Sequence, residues 1–446
     1  MYTMDPNQNQ AAVLPELETA LESARRKGDA RALLPALAKL GQAYLQIGEA
    51  PKALTQFDEG FAISRELQDE EAGARFLGFR GLALKRIGNF DLALRVFRQS
   101  NRLAAKIGHD LLVCDSHVQA AMLLAEKDMS TQAISQLSQA MHYAVEKNDL
   151  PRKMRIASLL GDNFARLESF DKAVEYYVIA YECSRDLDNK IAASSFLTQI
   201  GNIFLQEGEL ESATGQYERA LNIASQLEDA NAEIHILGGL FRAHARAGDL
   251  QLATTYADRV IHLARQSGHR QAELANIDAL TTLFIQHGDY RPCLPHLERA
   301  LQLLEDDHDL GLKLSFLSNL GFVHYHLGEF DAALSAYDQG IELARRVSDP
   351  LAEANLLSRK SAALADEDHL PAALQAAKRA LALAEEADHL PLVAELQALI
   401  AFTYHDLGQT AMALEHCRAA LTAYETLDDE DKAGFIREFL HQLQST

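Results

Sequence analysis

The stretch Leu320–Ala344, LGFVHYHLGEFDAALSAYDQGIELA, decides the fold, because IGNIFLQEGELESATGQYERALNIA stands 120 residues upstream at Ile200–Ala224. The intermediate multiples of 40 are filled as well. From Ala53, steps of 40 reach nine alanines in ten positions, Cys293 being the exception. From Gly48 they reach seven glycines in ten, with Asp128, Glu168 and Asp368 in the remaining places. From Gly60 the residues are small in most copies, and from Tyr44 they are mostly large or ring-bearing. No insertion or deletion breaks the register across ten copies, and chance does not produce that.

Each copy has a physical reading. Apolar residues recur at helical spacing through Leu40–Ile47, and Gly48 stops that helix where only glycine takes a left-handed conformation cheaply. A second helix follows, with Ala53, Phe57 and Gly60 on one face. Small residues at 41, 53 and 60 let helix backbones approach closely, and the ring at 57 fills the space beside them. The junction series runs Asp29, Asp69, His109, Asp149, Asn189, Asp229, His269, Asp309, Asp349, His389, Asp429. Seven of these eleven are Asp, a residue suited to turns and helix N-caps. One helix–turn–helix copy cannot bury its apolar face alone, whereas stacked copies can.

The pattern resembles the tetratricopeptide repeat. Leu40-Gly41, Tyr44, Gly48, Ala53 and Phe57 match its Leu-Gly, aromatic, Gly, Ala, aromatic order; Leu320-Gly321, Gly328, Ala333 and Tyr337 do so again. The resemblance covers residues 31–429. It departs in two ways. The period is 40 rather than the family's usual length of about 34, as in repeats similar to those of spindle-orientation adaptors and bacterial peptide-sensing regulators, so the helices should be longer. The family's tryptophan is replaced by Leu37, Leu77, Leu197, Leu237, Leu317 and Leu357 among others. The implied architecture is an all-α, right-handed α-solenoid of ten helix-turn-helix repeats over 31–429. A disordered tail at 1–10 and an N-terminal capping helix within 11–30 precede it, and a C-terminal capping helix at 430–446 follows.

Composition narrows the function. The 446 residues are 48% hydrophobic and carry a formal charge of −22, and no apolar run of 18 or more is present. A membrane span is therefore not expected, nor, from the character of MYTMDPNQNQAAVLPELETALE, is secretion. Cys114, Cys183, Cys293 and Cys417 lie far apart without a CxxC pair, which fits reduced, buried thiols in a cytoplasmic protein. Residues 1–200 are close to neutral and residues 201–446 carry 38 acidic against 18 basic side chains. An acidic half repels nucleic-acid phosphate and anionic lipid.

Catalytic chemistry finds no constellation that the repeat does not already explain. His324 and His326 are two apart and point to different sides of a helix, so His324 reads as a packed core residue rather than a metal ligand. His287 and His296 lack partners at metal-binding spacing. The acidic runs Glu305–Asp309 and Asp428–Asp431 read as solvated turns. Phosphate-loop, dinucleotide, zinc-protease and hydrolase motifs are missing. No enzyme, cofactor or metal is expected.

What remains is binding. By analogy with the family, the first helices line a concave groove. Its positions include Arg75 and Lys85, Arg155 and Asp162, Asn202, Arg242, Phe322 and Tyr325, and Phe402, with Arg86 close by. An extended peptide would lie there, its backbone held by Asn202 and its apolar side chains on Phe322 and Phe402. Thr198 stands where a chaperone-tail clamp would need lysine, which disfavours that ligand. Arg75–Lys106 holds eight basic residues against Asp91 alone, a patch for an acidic segment. The expected function is a non-catalytic scaffold or adaptor for protein or peptide partners. The alternatives are a peptide-responsive regulator of a bacterial signalling system, and self-assembly of the Arg-rich repeat on the acidic half of another copy.

Overall fold

The computed structural model describes residues 13–305 and 309–445, which form 22 α-helices and, among the described residues, no strand. The expected tail at 1–10 and Asp306–His308 of the acidic run lie outside them. Most helices are 17 or 18 residues long, so one repeat is two helices and two three-residue connections. Ala30–Gln46 and Ala50–Glu66 are an example. The period of 40 follows directly. Helices Leu14–Lys27 and Glu430–Ser445 flank the array. The chain divides into two compact units, Met1–Ala247 and Gly248–Thr446. In each, consecutive helices pack on one another as an all-α repeat solenoid.

The connections carry a shorter period than the sequence displays. Positive φ recurs every 20 residues among the described residues, from Gly28 and Gly48 through Gln68 and Gly88 to Gly408 and Asp428. Most of these residues close a helix with the same turn. After Gly48 the Glu49 N–H donates to the Tyr44 carbonyl at 2.8 Å. The Asp69 and Asn89 N–H groups repeat the bond to Ser64 and Leu84. This six-to-one hydrogen bond satisfies a terminal carbonyl and needs a left-handed residue just before it.

At the junctions before first helices, the next residue caps the following helix. Asp69, Asp149, Asp229, Asp309, Asp349 and Asp429 each accept from the backbone N–H three residues on, at 2.9–3.1 Å. His109 and His389 do the same through Nδ1, at 3.3 and 3.2 Å. That role fixes the proton on Nε2 in the neutral ring. His269 is the exception, its Nδ1 lying 2.6 Å from Ser267 Oγ.

Packing explains the small residues. An added methyl at Gly161 would sit 2.7 Å from the Tyr177 ring, and one at Gly201 would sit 2.9 Å from Tyr217. Phe57, Tyr217 and Tyr337 are fully buried in this frame.

Two carboxylates are buried at equivalent positions of the second unit. Glu273 accepts from Arg265 at 3.0 Å and from Arg299 at 2.9 Å. Glu353 accepts from Arg345 at 2.8 Å, and Arg379 approaches at 3.9 Å. Each carboxylate lies between arginines from the helices before and after its own, hydrogen-bonded to both at Glu273 and to Arg345 alone at Glu353, so the two triads link successive helices. A carboxylate is tolerated there because both charge and hydrogen-bonding capacity are met.

Candidate partner-binding surface

In the first unit the expected groove positions lie on first helices, but several already have partners. Arg75 is exposed and pairs with Glu71 one turn earlier, at 2.6 Å. Lys85 reaches Glu126 of the next repeat at 2.5 Å. Arg80 pairs with Asp58 at 2.5 Å, and Lys106 pairs with Glu70. Four of the eight basic residues of 75–106 are thereby paired with carboxylates that neighbouring turns and repeats supply. Arg86, Arg95, Arg98 and Arg102 have no ion pair among the described residues and are exposed.

Asp162 and Asn202 occupy the same frame position and receive the same contact. The Tyr177 hydroxyl donates to Asp162 Oδ1 at 2.6 Å and the Tyr217 hydroxyl to Asn202 Oδ1 at 2.7 Å. Burial, then the Asp162 bond, pushes the Tyr177 phenol far above its ordinary value. Asn202 donates its amide to Gln199 at 3.2 Å. Both ends of its side-chain amide therefore have partners within the chain. Arg155 is exposed and lies 3.3 Å from Met122 Sδ, joining groove positions of successive repeats. Arg242 is exposed beside the Tyr217 hydroxyl. A recess of 190 Å³ between first helices is lined by Ser195, Thr198, Gln199 and His235 among others.

The second unit carries aromatic groups. Phe322 and Tyr325 lie on helix Leu310–His326 in one cluster with Tyr290 and His326. His326 stacks on Tyr290 at 4.6 Å between centroids and meets Phe322 edge-on at 4.2 Å. Partial desolvation, then the Arg359 charge, lowers its pKa. Arg359 lies over the Phe322 ring at 5.1 Å, and the Tyr325 hydroxyl donates to Asp366 at 2.5 Å. That bond, then burial, pushes the Tyr325 phenol up to about 12. The His324 side chain is largely buried, with Nδ1 2.7 Å from Glu329.

Phe402 forms a second cluster. Its ring meets Phe439 at 4.7 Å and Phe435 at 6.1 Å, both edge-on. It lines a cleft of 540 Å³ together with Ser358, Ala362, Leu399 and Phe435. Helix Pro350–Asp366 joins the clusters, with Arg359 covering Phe322 while Ser358 and Ala362 line the Phe402 cleft.

Sequence reasoning missed Tyr290, His326, Arg359, Phe435 and Phe439. Phe435 was legible, since it stands nine periods of 40 after the groove position Arg75, in a helix read only as a cap. Tyr290 was not, because Pro292 delays its helix to Cys293 and the preceding turn carries the ring to Phe322.

Among the described residues, no group of three His, Cys, Asp or Glu is placed to hold a metal. Among the described residues, no helix is long and apolar enough to cross a membrane. The four cysteines are buried and unpaired. Burial pushes the Cys114 and Cys293 thiols up to about 11.

Residues 313–386 match a family model described as tetratricopeptide repeat. Among curated proteins, Regulatory protein RapG of Bacillus subtilis (strain 168) is 22% identical over 147 residues, 33% of this chain. The chain spans 40% of the length of that relative. Among solved structures, a signal-transduction ATPase with a tetratricopeptide-repeat sensor from Pyrococcus horikoshii superposes with a TM-score of 0.47 at 13% identity, over 78% of this chain and 55% of its own. A Rap protein complexed with competence and sporulation factor gives a TM-score of 0.37 at 15% identity, over 99% and 98%.

Proposed function

We propose that this tetratricopeptide-repeat chain, whose residues 313–386 match the family model, is a non-catalytic scaffold binding extended segments of partner proteins on its first helices. The observation that carries this reading is the pair of aromatic clusters at Phe322 and Phe402, with a cleft of 540 Å³ at the second. Large rings left partly open on a rigid helical surface are what a peptide side chain needs as an anchor. The polar positions Ser195, Gln199, Asn202 and Arg242 of the first unit suit backbone and side-chain hydrogen bonds. The buried thiols fit work in a reducing cytoplasm.

A regulatory variant of this reading is favoured by the partial similarity to Regulatory protein RapG. In it, the bound segment would be a signal rather than a client.

The test is capture of partners from source-cell lysate by the full chain. Parallel captures would use Phe322→Ala, Asn202→Lys and, on a second helix, Arg95→Glu. Loss with the first two and retention with the third supports binding on the first helices. Retention with both groove variants and loss with Arg95→Glu overturns it. Recovery of the protein alone would favour self-assembly.

A further inference from the structure

From the Phe402 cleft we infer a specific ligand chemistry, which rests on the peptide-binding reading above: an extended peptide that inserts one aromatic or long aliphatic side chain and carries Lys or Arg beside it. Three observations support this.

The cleft is built to take an apolar group. Phe402, Leu399 and Ile436 line it, and Phe435 stands at it with 62% of its surface exposed. A ring of that size open to water beside two other phenylalanines is an unfilled apolar contact.

The rim is acidic. Glu395 and Asp431 flank the opening, and Lys432 is its one cation among the lining residues. Lys432 is already committed, lying 3.2 Å from Glu395, 3.6 Å from Asp429 and 5.5 Å from the Tyr424 ring centroid. Asp431 is exposed and has no ion pair among the described residues. Residues 248–446 carry 31 acidic against 15 basic side chains, so the surrounding surface has the same sign. A basic residue on the ligand is attracted, and an acidic one is repelled.

The cleft has a direction. Its floor at Ser358 and Ala362 belongs to the helix that sends Arg359 over Phe322. Adjacent packed helices stand about 8–10 Å apart. Two repeats therefore separate the two clusters by roughly 20 Å, and an extended chain at about 3.3 Å per residue crosses that in roughly six residues. The basic-aromatic portion belongs at Phe402. An acidic residue about six positions away would meet Arg359.

The experiment is selection of a random dodecapeptide phage library on the immobilised full chain. Enriched peptides are then synthesised with a fluorophore and titrated against the wild type, Phe435→Ser and Asp431→Lys. Phe435 is exposed, so its loss leaves the packed repeats intact, and circular dichroism checks both variants. The expected result is enrichment of a large apolar residue next to Lys or Arg. Affinity should fall at least tenfold for each variant, and binding should weaken with added salt. Enriched peptides that are acidic, or that bind both folded variants as they bind the wild type, overturn this inference while the peptide-binding reading stands. No enrichment at all overturns both. Wild-type dimers in light scattering that Phe435→Ser abolishes assign the cleft to a second copy instead, and overturn the peptide ligand.

Discussion

A methyl group added to Gly201 would lie 2.9 Å from the ring of Tyr217, which is fully buried. The same ring would lie 2.6 Å from a methyl added to Gly239 on the next first helix. One side chain thus fills the space that two glycines on successive repeats leave. Gly201→Ala should destabilise the chain by about 1–3 kcal/mol through overpacking. The same substitution should cost clearly less in a Tyr217→Leu background, because the smaller pair stands natively at Ala121 and Leu137 in this frame. Chemical denaturation of the four proteins gives the coupling. Additive effects would contradict the packing account.

The turns offer a second test. Glu168 and Asp368 hold φ of 54° and 62° where most copies in their frame have glycine. A side chain is disfavoured in that conformation by about 1–2 kcal/mol, partly offset by the flexibility glycine adds to the unfolded chain. Glu168→Gly and Asp368→Gly should each raise stability by about 0.5–1 kcal/mol. Gly328→Ala should lower it by a similar amount. Thermal melts of the single variants decide this.

Acid sensitivity should trace in part to Glu273. Burial raises its carboxyl pKa, but the hydrogen bonds and charges of Arg299 and Arg265 outweigh that and hold it below its ordinary value. The folded state therefore binds its proton more weakly than the unfolded state. The stabilisation is present above the ordinary carboxylate pKa and is lost as pH falls through the lower folded value. Glu273→Gln should cost about 1–3 kcal/mol at pH 7. The difference from wild type should shrink on acidification below the ordinary carboxylate range, as measured by urea midpoints across pH.

The thiols should be inert until the chain opens. With Cys114 and Cys293 buried and pushed up to about 11, a thiolate-dependent reagent at pH 8 should label neither in the native protein. Both should react fully in denaturant. Native labelling of either at the rate of a free thiol would contradict the packing at those positions.

How far the sequence discloses this protein depends on what a position demands. Ala53 and its alanine series announce the fold because steric closeness admits few residue types. The turn series Gly28, Gln68, Gly108, Asn148 and Asp188 shares one backbone conformation yet several chemistries, so the 20-residue half-period stays hidden in the letters. Ion pairs such as Lys85–Glu126 depend on the offset between stacked repeats, which the repeat pattern does not state. Phe322, Tyr325 and Phe402 were reached by analogy with groove positions. Their companion Arg359 follows only once the helices are stacked, whereas Phe435 stands in the groove frame of the sequence itself.

The most direct test of the central claim is site-specific photocrosslinking of the full chain in lysate. A benzophenone amino acid would replace Phe322, Phe402 or, on a second helix, the exposed Gln339. Binding on the first helices predicts partner adducts from positions 322 and 402 and none from 339. Adducts from 339 alone would contradict it.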